Sequence, residues 1–169
     1  MPPVIRLVEL PPAAMTALLD GDLPRARTAA GIPLTGYFTT DEAKSLWAFR
    51  LAQLGRDRSH APWIVRAAVA EPEGHVVGHA GFHGAPENGT LTIAYSVDPV
   101  HRRKGYARAM LAALLDRAAA EPTVTTVRAT ISPDNRASLA TIAGRGFTYM
   151  GEQWDEEDGR ELIFDRPAR

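Results

Sequence analysis

The sequence predicts an α+β fold: a central mixed, mostly antiparallel, twisted sheet of about seven strands flanked by about four helices. Short segments rich in Val, Ile and aromatic residues are interrupted by stretches with helical apolar spacing. Turn signals at Glu71-Pro72-Glu73-Gly74, Glu87-Asn88-Gly89 and Asp158-Gly159 join consecutive strands as hairpins. The 169 residues have ordinary globular composition, 45% hydrophobic and 23% charged, so one core suffices and residues 1–169 read as a single domain.

Val4 to Leu10 has the apolar content of a first strand, and Pro11-Pro12 opens a helix with Ala14, Met15, Leu18 and Leu19 on one face before Gly21. A loop rich in Pro and Gly is expected next. Thr39 and Glu42 have capping-box spacing for a second helix carrying Ala43, Leu46, Trp47, Arg50 and Leu54 on one side. Trp63 to Ala70 and His75 to Phe82 form a hairpin, and Leu91, Ile93, Tyr95 and Val97 alternate as a strand that Asp98-Pro99 stops. A third helix runs through Met110, Leu111, Leu114, Leu115 and Ala118 to Pro122. Val124 to Ile131 is a strand, Asp134 or Asn135 caps a short fourth helix closed by Gly146, and strands Phe147 to Trp154 and Glu161 to Asp165 finish the chain.

A formal charge of −1 gives nothing global that would attract nucleic acid or an anionic membrane. The chain has no cysteine, which removes disulfides and thiolate sites, and it shows no secretory signal or membrane-spanning run, so the expected location is cytoplasmic. No metal is expected, because His75, His79 and His83 at spacing four on a strand stand about 13 Å apart along one face.

Between the strand ending at Val97 and the third helix lies His101-Arg102-Arg103-Lys104-Gly105-Tyr106-Ala107. A helix N-terminus offers about four unpaired N–H groups and roughly half a positive charge, and Gly105 and Ala107 let a phosphate approach. Arg102, Arg103 and Lys104 add charged donors. An isolated string of this kind also reads as a solvated basic turn, and it is neither a Walker nor a dinucleotide pattern.

Tyr95-Ser96-Val97-Asp98-Pro99 followed by Arg102-x-x-Gly105-x-Ala107 resembles the acetyl-CoA motif of the GNAT acetyltransferases, commonly Arg/Gln-x-x-Gly-x-Gly/Ala. About thirty residues on, Ile131-Ser132-Pro133-Asp134-Asn135-Arg136-Ala137-Ser138 and later Gly146-Phe147 resemble that family's strand, Asn-bearing helix and Gly-Phe ending. The resemblance is sharp over residues 75 to 151 and is most like the branch that acetylates ribosomal-protein N-termini.

The resemblance implies acetyl-CoA as cosubstrate and an unidentified amine as acceptor, with a homodimer compatible with both. It places cofactor contacts at Tyr95, Ser96, Val97, Arg102, Arg103, Lys104, Gly105, Tyr106, Ala107, Arg108, Asn135 and Ser138. It also implies that the strand ending at Val97 splays from its neighbour and that the Val97 N–H polarises the thioester carbonyl. Many relatives carry a Tyr general acid seven residues after the Asn, where this chain has Ile142, so Ser138 inherits the role of protonating the thiolate. Asn135 also reads as a simple cap and Ser138 as a packing residue. Relatives often hold a Glu base in the strand before the turn, where this chain has Thr92; His83 is the first choice to replace it, then Glu87, then a water relay. Asp155-Glu156-Glu157-Asp158 could attract a cationic acceptor or be only a solvated hairpin tip. The expected activity is acetyl transfer to a primary amine of a small molecule or peptide N-terminus; a non-catalytic acyl-CoA-binding module is the alternative.

Overall fold

The computed structural model describes all 169 residues. Seven strands form one sheet: β1 (Val4–Glu9), β2 (Arg66–Glu71), β3 (His75–Phe82), β4 (Thr90–Val97), β5 (Thr126–Ile131), β6 (Thr148–Asp155) and β7 (Gly159–Pro167). Their spatial order is β1-β2-β3-β4-β5-β7-β6, and only β4 and β5 run parallel. The helices are α1 (Pro12–Leu19), α2 (Leu23–Ala30), α3 (Asp41–Arg56), α4 (Tyr106–Ala119) and α5 (Arg136–Ile142).

The sheet separates two cores. On one face Met110, Leu111 and Leu114 of α4 and Ile142 of α5 pack on Val77, Ala80, Phe82, Leu91, Val127 and Ala129. On the other face α1, α2 and α3 close over Ala67, Val69 and Val76. Here Trp47 lies flat on Phe38, ring centroids 5.8 Å apart, and its indole N–H donates to the Phe38 carbonyl at 2.7 Å, so the one polar atom of this buried ring is satisfied.

The mixed, mostly antiparallel seven-stranded sheet matches the sequence expectation, but there are five helices rather than four. The additional one is α2, read from the sequence as a Pro- and Gly-rich loop. Asp22 accepts from the Arg25 N–H at 3.1 Å, Pro24 sits in the first turn where its missing N–H costs nothing, and Gly31 closes the end at φ 70°. The residues that looked like breakers therefore act as its start and stop. Thr40, not Thr39, caps α3, its hydroxyl accepting from the Ala43 N–H at 3.3 Å. The segment from Trp63 is still a turn, with the Trp63 N–H donating to His60, so β2 begins at Arg66. Asn135 is the cap of α5, which ends at Ile142 with Ala143 as its C-cap, before reaching Gly146.

The three histidines do not all share a face. The β2–β3 register shifts between Ala68 and Val69, opposite Gly78 and Val76. Val76 then belongs to the α1–α3 core and Ala80 to the α4–α5 core, although four residues apart they would share a face in a regular strand. This bulge turns His79 into the α1–α3 core, against Tyr37, Phe38 and Trp47, and leaves His75 exposed.

Candidate active site

The ladder between β4 and β5 ends early. Thr90, Leu91 and Thr92 pair with Thr126, Val127 and Arg128, and beyond them β5 continues only against β7. On the other edge of β4 the His83 N–H donates to the Thr92 carbonyl and the Asp98 N–H to the Val77 carbonyl, each at 2.8 Å. Antiparallel pairing alternates, so Ile93, Tyr95 and Val97 turn their N–H and C=O groups away from β3 and toward the gap that β5 has left. Gly78 makes the β3 side of this arrangement fit: a Cβ there would lie 2.0 Å from the Ser96 carbonyl oxygen and 3.0 Å from Val97 Cα.

At the end of β4 the chain enters the basic turn. Arg103 and Gly105 both have positive φ, 62° and 85°, and α4 starts immediately after. The first helical hydrogen bond is donated by the Ala109 N–H to the Gly105 carbonyl, and the backbone N–H groups of Arg103, Lys104, Gly105, Tyr106, Ala107 and Arg108 make none. The side chains of Arg102, Arg103, Lys104 and Arg108 are exposed and form no ion pair; Arg102 reaches only the Val97 carbonyl, at 3.4 Å. Consecutive free N–H groups, a helix dipole and four unpaired cations make a site for a polyanionic group, and they fit the pyrophosphate and phosphate of a CoA.

Between the splayed strands lies a cavity of about 270 Å³ whose lining includes His83, Tyr95, Asn135, Ser138, Asp158 and Glu161. Asn135 caps α5 through its oxygen, which accepts from the Ser138 N–H at 3.1 Å, and its amide N–H₂ group stays free. The Ser138 hydroxyl is half-buried and makes no hydrogen bond. The Tyr95 hydroxyl is enclosed and unpaired, close to the Ser138 and Thr141 hydroxyls without reaching hydrogen-bond geometry. Burial raises its pKa, and those two neighbours moderate the rise. Ile142, at the place where many relatives carry Tyr, is buried in the core.

A second cavity, about 460 Å³, opens on the α1–α3 side and is lined by residues including Gln53, His60, His83, Glu87, Thr92 and Arg128. His83 borders both cavities. Its imidazole pKa is lowered to about 4 by surrounding protein atoms first and by the Arg50 cation second, with Asp155 opposing. The ring is nevertheless open to cavity water, which moderates that depression. Arg128 is held flat against Asp165 by paired bonds of 2.8 and 2.9 Å, so its charge is largely neutralised. His60 accepts from the Ala85 N–H at 2.9 Å and so fixes the rim.

The structure therefore brings Tyr95, Asn135, Ser138 and His83 around one cleft, with the Val97 backbone turned toward the same gap at the end of β4 and the basic turn beyond it. Ser96 faces the other way, its hydroxyl hydrogen-bonded to Tyr37. Glu87 lies on the rim of the larger cavity. Sequence reasoning missed Arg50, the Arg128–Asp165 pair and Glu161. Alternation along β7 could have put Glu161 and Asp165 on one face, but nothing local indicates that this face is covered.

A family model described as an acetyltransferase (GNAT) domain matches residues 16–148. The chain is 33% identical over 112 residues to an L-2,4-diaminobutyric acid acetyltransferase of Streptomyces anulatus, covering 65% of this chain and 58% of that protein. The protein of the same description from Streptomyces coelicolor is 31% identical over 152 residues, covering 88% of this chain and 84% of the other. Among solved structures, the fold is shared with a GNAT superfamily phosphinothricin acetyltransferase from Sinorhizobium meliloti in complex with AcCoA, at TM-score 0.62 and 19% identity over 99% of this chain and 89% of that one.

Proposed function

This chain belongs to the GNAT acetyltransferase family, and from that premise we propose that it transfers the acetyl group of acetyl-CoA to a primary amine of a small molecule, in the cytoplasm where that cosubstrate is found. The observation that carries the proposal is the cleft between β4 and β5, which opens beside six unpaired backbone N–H groups and four unpaired cations. A diamino acid is the favoured acceptor class. Its support is the polar cavity of about 460 Å³ and the diaminobutyrate acetyltransferases to which the chain is similar. A protein N-terminus, as in the ribosomal-protein branch, is the second acceptor to test.

Acetyl-CoA supplies the acyl group as a thioester. In the proposal, N–H groups from Arg103 to Arg108 and the side chains of Arg102, Arg103, Lys104 and Arg108 hold its phosphates. The free backbone groups of Tyr95 and the Asn135 amide hold the pantetheine arm. The Val97 N–H stands where charge develops on the carbonyl oxygen, and a backbone donor leaves that side chain free to be apolar. Ser138 protonates the departing thiolate. His83, neutral near pH 7, takes a proton from the nitrogen once attack on the carbonyl has made it acidic.

Incubating the protein with acetyl-CoA and a panel of diamino acids, alkyl diamines, aminoglycosides and peptides, with mass-spectrometric detection, tests this. Acetylated amine and stoichiometric free CoA are expected. CoA binding with no product from any amine would instead support a non-catalytic acyl-CoA-binding module.

A further inference from the structure

One buried carboxylate, Glu161, has a single hydrogen-bond partner and no cation beside it. Glu161 is 7% exposed, among the few buried polar residues, and sits in β7 between Arg160 and Leu162. Its Oε2 accepts from the Gln153 amide at 2.9 Å, Oε1 makes no hydrogen bond, and no Lys, Arg or His lies within ion-pair distance. A buried charge left this way is costly. It is not sealed in the core: Glu161 lines the cleft cavity together with His83, Tyr95, Asn135 and Ser138. The sheet register explains the placement. Leu162 lies opposite Ile131 of the α4–α5 core, so its neighbour Glu161 points to the opposite face, the one that carries Arg128 and Asp165.

We propose that Glu161 binds the attacking amine as an ammonium ion and takes its first proton. The assignment rests on the acetyltransferase function proposed above. An ammonium must lose two protons to become an amide nitrogen. One passes to Glu161 before attack, giving a neutral amine and a carboxylic acid. The amine lone pair then forms the C–N bond at the thioester carbonyl, His83 removes the second proton from the adduct, and the C–S bond breaks as the thiolate takes its proton from Ser138. Solvent afterwards restores Ser138 and removes the protons from Glu161 and His83, so that one proton is released per turnover. His83 alone serves the first step poorly, because the protein around it and Arg50 both disfavour its protonation, whereas an anion both attracts the ammonium and accepts from it. Asp158, which lines the same cavity on the β6–β7 turn, adds negative potential at the entrance and so favours a cationic acceptor.

The test uses Glu161→Gln, which keeps shape and Gln153 as neighbour, with CoA binding by calorimetry as the check of folding. Wild type and variant are compared on two probes: 1,4-diaminobutane, an ammonium at neutral pH, and aniline, already neutral there. The expected result is at least a hundredfold loss of kcat/KM for the diamine and less than about threefold for aniline, with calorimetric binding of the diamine to the CoA complex weakened at least tenfold. Equal losses on both probes, or no loss on either, would overturn the assignment of Glu161 while leaving the acetyltransferase reading intact. Failure of the wild type to acetylate or bind any amine in the panel overturns both.

Discussion

Arg50 Nη1 donates to the main-chain oxygen of His83 at 2.9 Å, and Gln53 Nε2 donates to the same oxygen at 2.8 Å. Arg50 is almost wholly buried, has no carboxylate partner, and its own pKa is lowered to about 10 by that burial. It therefore fixes the end of β3 and places a positive charge near the His83 ring. Replacing it with Gln should raise the His83 titration midpoint toward the ordinary histidine value of about 6.5. Proton NMR of the His83 ring across pH 4 to 8 checks this; an unmoved midpoint shows that the charge does not reach the ring.

The left-handed conformation of Gly105 is predicted to be required for CoA affinity. A Cβ there would meet nothing closer than Pro3 Cδ at 3.4 Å, so any effect of Gly105→Ala comes from its φ of 85° and not from a clash. That strain is about 1–2 kcal/mol, enough to reshape the turn. Calorimetry should show CoA bound about tenfold more weakly, equivalent to about 1.4 kcal/mol. Gly105→Asn, which tolerates such angles better, should recover part of the loss; equal affinity in all three proteins removes the turn from the site.

Ser138→Ala is expected to lower kcat about tenfold while the acetyl-CoA KM stays within about twofold, since the hydroxyl acts on a group that forms only during reaction. Tyr95→Phe removes a buried hydroxyl that has no hydrogen-bond partner, so chemical denaturation should find stability unchanged or raised by up to about 1 kcal/mol. Destabilisation beyond about 1 kcal/mol would mean that the Tyr95 hydroxyl is satisfied after all.

His79 should make stability fall with acid. Its ring is enclosed by Tyr37, Phe38 and Trp47, and burial first, then Arg50, lowers its pKa to about 4. Between that value and the unfolded value of about 6.5 the unfolded chain binds the extra proton. The contribution is therefore complete above about pH 6.5 and is lost as pH falls through the window to about 4, by about 3 kcal/mol at most. Urea denaturation of wild type and His79→Phe from pH 7 to 4.5 checks this: the variant's stability should depend less on pH.

The strand and helix order was legible because strong periodicity and punctuation agree over most of the chain, as in Leu91 to Val97 followed by the turn at Gly105. The loop expected over Leu23–Ala30 misled because Pro24 and Gly31 are signals for a loop and equally for the two ends of a short helix. The half of the cleft proposed to hold the cofactor draws on one contiguous segment, residues 95 to 108, and one helix start, which local reading of the sequence can reach. The acceptor half lies outside that reach. Glu161 and His83 line one cavity from segments far apart in sequence, and the bulge beside Gly78 breaks the face parity on which any reading of His75, His79 and His83 depends.

The partition of the interior by the sheet has a consequence for how such a chain can change over generations. Helices α1 to α3 rest on one face and α4 and α5 on the other, and β4 alternates between them, Ser96 reaching Tyr37 while Tyr95 turns toward α5. Apart from Tyr37 and Thr35, which hydrogen-bond Ser96 and Asp98, a substitution in the α1–α3 layer is thus separated by the sheet from the α4 and α5 packing behind the turn at Gly105. New acceptor preferences can accumulate on the first layer while the grip on the donor is inherited unaltered on the second.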